Sequence, residues 1–332
     1  VVRNMRADGK AIVIITHKLH EVLSVSDEVA VLRKGKYIGT VKTSEATAQS
    51  LTDMMVGRAV SLNIDRPDPV DPKPRLKIEG LTCVDNLGIK RLDDVTFTAM
   101  SGEILGIAGI AGSGQRELLE CITGLYPVEH GTVTFLPEGK PAQQLIGKTP
   151  NQIRKAGVAM AFVPEDRLGM GLVGSMGMGS NMMLRSWRKG KGAFVNRRDP
   201  NKLAMEVMEE LEVVTPSIST PVRRLSGGNV QKVLVGREIA MSPSVLLTAY
   251  AVRGLDINTS YTIYNLLTQQ KMKGSAVVFV GEDLDVLLEL CDRILVLCGG
   301  KISGIVDART ATKEEPHSFG NFLGWQQVQN VV

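Results

Sequence analysis

Two stretches of the chain share one pattern of apolar and polar positions. AIVIITHKLHEVLSVSDEVAVLRKGKYIGTV begins at Ala11, and AVVFVGEDLDVLLELCDRILVLCGGKISGIV begins at Ala276. They align without a gap at a constant offset of 265 residues, the difference between 276 and 11. Ala11, Leu19, Asp27, Val31, Leu32, Gly35, Lys36, Gly39 and Val41 recur as Ala276, Leu284, Asp292, Val296, Leu297, Gly300, Lys301, Gly304 and Val306. Each copy predicts a strand, a helix, a strand, a glycine turn and a further strand. IVIIT and VVFV are short and β-branched, as strands buried in a parallel sheet are. HKLHEVLSVSD and EDLDVLLELCD carry apolar residues at helical spacing. A gapless match of this length marks an internal repeat.

The repeat organises the chain. The second copy follows roughly two hundred residues of its own module, the first only ten residues, and residue 1 is Val rather than Met. Residues 1–58 are therefore expected to be the C-terminal fragment of a first module, the rest of which lies upstream of Val1. Pro67, Pro69, Pro72 and Pro74 mark residues 59–75 as an extended, fairly stiff linker. LKIEGLTC, from Leu76, and VTFTAMSGEILGIAG, from Val95, alternate like strands and open a second module over residues 76–312. Residues 313–332 lack a pattern and read as a tail.

Composition narrows the class. Hydrophobic residues at 43% and charged residues at 22% of 332 positions exclude a disordered chain, a coiled-coil rod and a collagen-like fibre. Apolar runs such as Ala276–Val280 fall far short of the roughly 18–20 residues of a membrane span. A net charge of +4, with Lys and Arg scattered, argues against nucleic acid as a partner. Cys83, Cys121, Cys291 and Cys298 show no C-x-x-C spacing and read as free thiols. His17 and His20 lack the neighbouring ligands of a metal site, and no metal centre is expected there.

Two segments carry phosphate chemistry. GIAGSGQRELLECITGL runs from a strand into a helix, with Gly109, Gly112, Ser113 and Gly114 at the turn. Glycines there let backbone N–H groups approach an anion, and the helix start adds partial positive charge. The spacing fits G-x-x-x-x-G-K-[ST] from Gly109, except that Gln115 holds the Lys position and Arg116 the Ser/Thr position. Gln lacks the fixed charge that Lys offers phosphate, and Arg is no Mg²⁺ ligand. LSGGNVQKV places Ser226 as the N-cap of a helix and leaves Gly227 and Gly228 as a second anion cradle, with Gln231 one turn on.

Carrying these motifs, residues 76 to about 306 resemble an ATP-binding-cassette (ABC) ATPase, and residues up to 58 resemble the end of a preceding one. PEDRLGMGLV from Pro164 and LSGGNVQKV are similar to the tandem-cassette ATPase subunits of bacterial importers for simple sugars and nucleosides; GSGQREL leans to the nucleoside branch. The resemblance implies an α/β P-loop fold: a mostly parallel sheet with flanking helices, an antiparallel layer, and a helical subdomain from about Met170 to Met241. It implies ATP and Mg²⁺ as cofactors, bound mainly at a composite site. It implies two transmembrane permease subunits, an indirect extracytoplasmic solute-binding protein and a second ABC ATPase domain as partners, and a place on the inner face of the cell membrane. His17 matches the switch histidine at the γ-phosphate. Ser226, Gly227 and Gly228 match the signature that reaches ATP from the opposite domain, and Asp256 matches the loop bridging the dimer.

The second module departs from that family pattern. The Mg²⁺-binding acid falls on Ala249, the catalytic Glu on Tyr250, the switch histidine on Glu282 and the γ-phosphate-sensing Gln on Glu165. No aromatic residue from Asn86 to Arg91 offers a face to adenine. The expectation is a degenerate site that does not hydrolyse ATP, beside an intact signature that completes a site whose phosphate loop lies upstream. The alternative is a non-hydrolysing nucleotide-binding or regulatory ABC domain. Met170, Met176, Met178, Met182 and Met183 fit either a loosely packed subdomain core or an adaptable surface for a membrane partner. The basic run Arg185–Gly192 reads as a solvated loop.

Overall fold

The computed structural model describes every residue except 17–18, 34, 58–62, 188–194 and 312–332, together with the side chain of His20. The chain divides into two compact units, Val1–Asn63 with Leu255–Tyr261, and Ile64–Gly254 with Thr262–Val332.

In the first unit, α1 (Val2–Ala7) and α2 (Leu19–Val25) precede an antiparallel pair, β1 (Glu28–Arg33) and β2 (Lys36–Lys42), and then α3 (Ala48–Val56). Thr47 and Ser50 form a capping box at the start of α3, and Gly57 closes it in a left-handed turn. The helix packs on β1 and buries Leu51.

The second unit begins with β3 (Pro74–Val84) and β4 (Lys90–Met100), which join β6 (His130–Phe135) and β7 (Gln143–Gln144) in an antiparallel sheet of order β4-β3-β6-β7. The larger sheet contains β5 (Glu103–Ala108), β8 (Met160–Val163), β9 (Val245–Ala249), β10 (Ala276–Val280), β11 (Arg293–Cys298) and β12 (Lys301–Asp307). Its order is β12-β11-β5-β10-β9-β8, parallel throughout except for β12. The helices are α4 (Gln115–Thr123), α5 (Pro150–Lys155), α6 (Met178–Ser186), α7 (Arg198–Glu210), α8 (Gly227–Ile239), α9 (Ile257–Met272) and α10 (Leu284–Leu290). Leu118 and Ile122 of α4 pack with Leu105 and Ile107 of β5, Val278 of β10 and Leu92 of β4 in one buried core. Helices α6 to α8 occupy the stretch expected for a helical subdomain. There Met178 and Met182 are buried, whereas Met170 and Met176 are exposed.

The repeat is visible in the elements. At an offset of 265, α2 maps onto α10, β1 onto β11 and β2 onto β12 with identical bounds. Each hairpin shifts register at equivalent places, Val31/Leu32 and Val296/Leu297. One expected element differs. Ala276–Val280 is a strand paired on both edges, but Ala11–Thr16 forms none, and Val13 and Ile15 are 93% and 98% exposed. An apolar run becomes a strand only where neighbours take up its backbone N–H and C=O groups. The described residues of the first unit offer this run no such ladder.

The proline-rich stretch is anchored to the second unit from Ile64 onward. Arg66 Nη1 donates to the Leu288 and Cys291 carbonyls at 2.6 and 2.8 Å. Lys271 Nζ donates to the Pro67 carbonyl at 2.5 Å and to Asp292 Oδ1 at 2.7 Å. Asp292 Oδ2 also accepts the Ile104 N–H at 2.8 Å, so one buried carboxylate joins strand, helix and linker. Among the described residues no helix is long and apolar enough to cross a membrane. Removing one partner of a buried ion pair leaves the other charge uncompensated. Asp292→Ala is therefore expected to lower unfolding stability by about 3 kcal/mol, read by urea denaturation, whereas exposed Glu206→Ala on α7 shifts it by less than about 0.5 kcal/mol.

Candidate functional site

In an open parallel sheet, ligands bind at the C-terminal ends of the strands. From β5 the chain turns through Gly109, Ile110, Ala111, Gly112, Ser113 and Gly114 into α4. Gly114 has φ +101°, and a β-carbon there would lie 2.5 Å from the Arg91 carbonyl oxygen. A β-carbon on Gly109 would lie 2.3 Å from the Leu297 carbonyl oxygen. No side chain caps α4, which leaves the amides of its first turn to an anion.

The two departures from the phosphate-loop pattern have visible consequences. Gln115 is 2% exposed, and its Nε2 donates to the Ile110 carbonyl at 2.9 Å, so the side chain is folded into the loop it follows. Arg116 turns outward, where its Nε donates to Glu120 Oε1 at 2.7 Å. The loop's amides fit an anion. The donor set does not fit Mg²⁺: Arg116 has no side-chain oxygen, and Ala249 ends β9 as a buried methyl group. Among the described residues no group of three or more His, Cys, Asp or Glu side chains could hold a metal ion.

At the signature, Ser226 caps α8 and accepts from the Asn229 N–H at 3.4 Å and from Asn229 Nδ2 at 2.9 Å. Ser226 and Gly227 are exposed and Gly228 half-buried, a surface open to a ligand. Gln231, expected among the nucleotide contacts, is 0% exposed on a helix whose residues Val230 to Glu238 are all buried, and its side-chain Oε1 and Nε2 have no hydrogen-bond partner among the described residues. Asp256 caps α9, accepting from Thr259 N and Oγ1 at 3.0 and 2.8 Å. His17 lies outside the described residues, as do residues 188–192 of the basic run and the tail.

The remaining departures meet in one cluster. Glu165 follows β8, Tyr250 follows β9 at φ +50°, and Glu282 follows β10. Arg253 connects them. Its Nη1 pairs with Glu165 Oε1, its Nε with Glu282 Oε1 at 2.9 Å, and its guanidinium carbon lies 5.8 Å from the Tyr250 ring centre. Arg167 Nη2 donates to the Arg253 carbonyl. Burial, with Glu165 and Glu282 adding to it, pushes the Tyr250 phenol up to about 12. Neither arginine stood out in the sequence. The signal was present, because two acids where the resemblance implies Gln and His call for a cation in the same loops.

The ABC transporter family model matches residues 92–248. A nucleoside import ATP-binding protein, NupA of Lactococcus lactis, is 35% identical over 318 residues, covering 95% of this chain and 62% of the relative. The guanosine import ATP-binding protein NupO of Bacillus subtilis is 36% identical, covering 95% and 61%. The galactose/methyl galactoside import ATP-binding protein MglA of Clostridium tetani is 32% identical, also covering 95% and 61%. The chain thus spans about three fifths of the length of these curated relatives. Among solved structures, the ATP-binding cassette MJ1267 in its ADP conformation superposes with a TM-score of 0.60 at 19% identity, over 78% of this chain and 99% of that one. The dimeric cassette MJ0796 gives 0.61 at 24% identity, over 70% and 99%. Residues 92–248 thus match the ABC transporter family model, the second unit has the fold of solved ATP-binding cassettes, and the chain is similar to curated ATP-binding proteins for nucleoside and sugar import.

Proposed function

We propose that this chain serves as ATP-binding machinery of an importer for a nucleoside or simple sugar. Its partners in this reading are two transmembrane permease subunits at the inner face of the cell membrane, and indirectly an extracytoplasmic solute-binding protein. The second unit lends its signature, Ser226 to Gly228, to a composite site whose phosphate loop belongs to another cassette. His17 serves that site as the switch residue, and Asp256 serves the loop between cassettes. The element-by-element repeat supports reading residues 1–58 as the C-terminal part of that other cassette.

One contrast carries the proposal. A single unit combines an exposed, capped signature turn with a phosphate loop filled by its own Gln115 and flanked by Ala249 and Tyr250. Phosphoryl transfer needs cations at the developing charge and a group that orients the attacking water. Gln115 supplies no charge and Ala249 no ligand. The Tyr250 phenol, raised to about 12, stays protonated at neutral pH and takes no proton from water. This unit's own loop can hold phosphate through its amides without turning nucleotide over.

Three measurements test the reading. Phosphate release from this chain with Mg²⁺ and ATP is expected at background; release above background that Ser226→Arg abolishes overturns it. Titration calorimetry is expected to show at least tenfold tighter Mg²⁺-dependent ATP binding for the Gln115→Lys, Arg116→Ser variant than for the unaltered chain, the scale of one restored charge–phosphate contact. The third concerns Tyr250, whose ordinary value is near 10. Because the folded state raises it, the folded chain holds a proton that the unfolded chain releases as pH climbs from about 10 to about 12. Stability should fall over that window relative to Tyr250→Phe and match it below, as read by paired denaturation curves.

A further inference from the structure

The Glu165–Arg253–Glu282 cluster lies at the C-terminal ends of three strands, and both of its carboxylates are already paired with the one guanidinium. β8, β9 and β10 are adjacent and parallel, so the loops leaving their C-terminal ends are neighbours. Glu165 comes from the first loop, Tyr250 and Arg253 from the second, and Glu282 from the third. A single exposed ion pair contributes little. Here two carboxylates and an aromatic face converge on one planar guanidinium, a geometry that arginine's fork suits and lysine's point charge does not. An incoming phosphate would have to displace both carboxylates to gain that cation.

The cluster also reaches the signature. Arg167 is half-buried, and burial lowers its guanidinium from the usual value. Its Nη2 donates to the Arg253 carbonyl, while its Nη1 lies against Gly227: a β-carbon there would be 3.2 Å from it. Gly227 is the first residue of α8 and directly follows Ser226. A continuous chain of contacts therefore runs from the ends of three strands, through Arg253 and Arg167, to the turn that the second unit offers to another cassette.

We propose that Arg253 is the positioning residue of this half-site: paired with Glu165 and Glu282, it offsets the repulsion between the two carboxylates that would spread the three strand ends and, through Arg167, presets the signature turn whether or not nucleotide is bound. The proposal rests on the reading that the signature, rather than this unit's own loop, is the working part. Arg253 touches no reacting atom; it acts through Arg167.

Backbone hydrogen exchange on the full chain tests this, read in peptides covering residues 225–231, with peptides of β9 as a control for folding. In the unaltered chain, Mg²⁺ and ATP should leave exchange at 225–231 unchanged. Arg253→Met should speed it about tenfold, the scale of losing one local restraint, while β9 stays protected. Removing the acids as well, in Glu165→Gln, Arg253→Met, Glu282→Gln, should restore most of the protection, because no uncompensated carboxylates remain to push the loops apart. Arg167→Met should loosen 225–231 but not the end of β10, and Arg167→Lys should recover only part of the loss. Slow exchange at 225–231 in Arg253→Met overturns the proposal. So does a triple variant as loose as Arg253→Met, which would mean that Arg253 acts by packing alone. ATP turnover by this chain would defeat the functional reading while leaving these exchange comparisons to decide Arg253 by themselves.

Discussion

A strand needs hydrogen-bonding neighbours, and the candidate site depends on one strand that has them on both edges. β10 lies between β5 and β9 with every residue buried. That pairing sets the ends of β5, β9 and β10 side by side, and the phosphate loop, Tyr250, Arg253 and Glu282 all leave from those ends. The related run at Ala11 has similar apolar character and no ladder, and it forms no strand. The residues supply the tendency, and the neighbours decide whether it is realised.

Much of this was legible in the sequence because it was local. A strand-to-helix turn rich in glycine, a serine before two glycines and a helix, and a gapless repeat each depend on residues close together in the chain. They marked a candidate phosphate loop at a strand end and a serine that caps a helix. What escaped was set by tertiary contact. Gln231 reads as part of a surface motif, but α8 is buried from Val230 to Glu238. Residues 64–68 read as linker, yet they are held by Arg66, Lys271 and Arg309, two of which lie some two hundred residues downstream. Arg253 is a lone arginine until the ends of β8 and β10 are known to be its neighbours.

The charges show the same dependence on context. In the sequence, Glu165 and Glu282 read as acids set against a phosphate. In the fold both are paired with Arg253, so one guanidinium offsets part of their charge and holds them together. Burial of Tyr250 fits that arrangement, since a neutral phenol can lie under a guanidinium and between two carboxylates without adding charge. Glu165, Tyr250 and Glu282 thus form one set around Arg253.

The glycines of the phosphate loop answer to a different master than its chemistry. Gly109 faces the Leu297 carbonyl beside the register shift of β11, and Gly114 faces the Arg91 carbonyl. Any side chain at either position collides with backbone, which cannot swing aside. Residues 115 and 116 are under no such restriction from the backbone. A lineage that stops using this loop for catalysis is therefore free to change those two letters and is still obliged to keep the glycines. The glycine spelling of such a motif is a record of packing, and only the two letters after it testify to use.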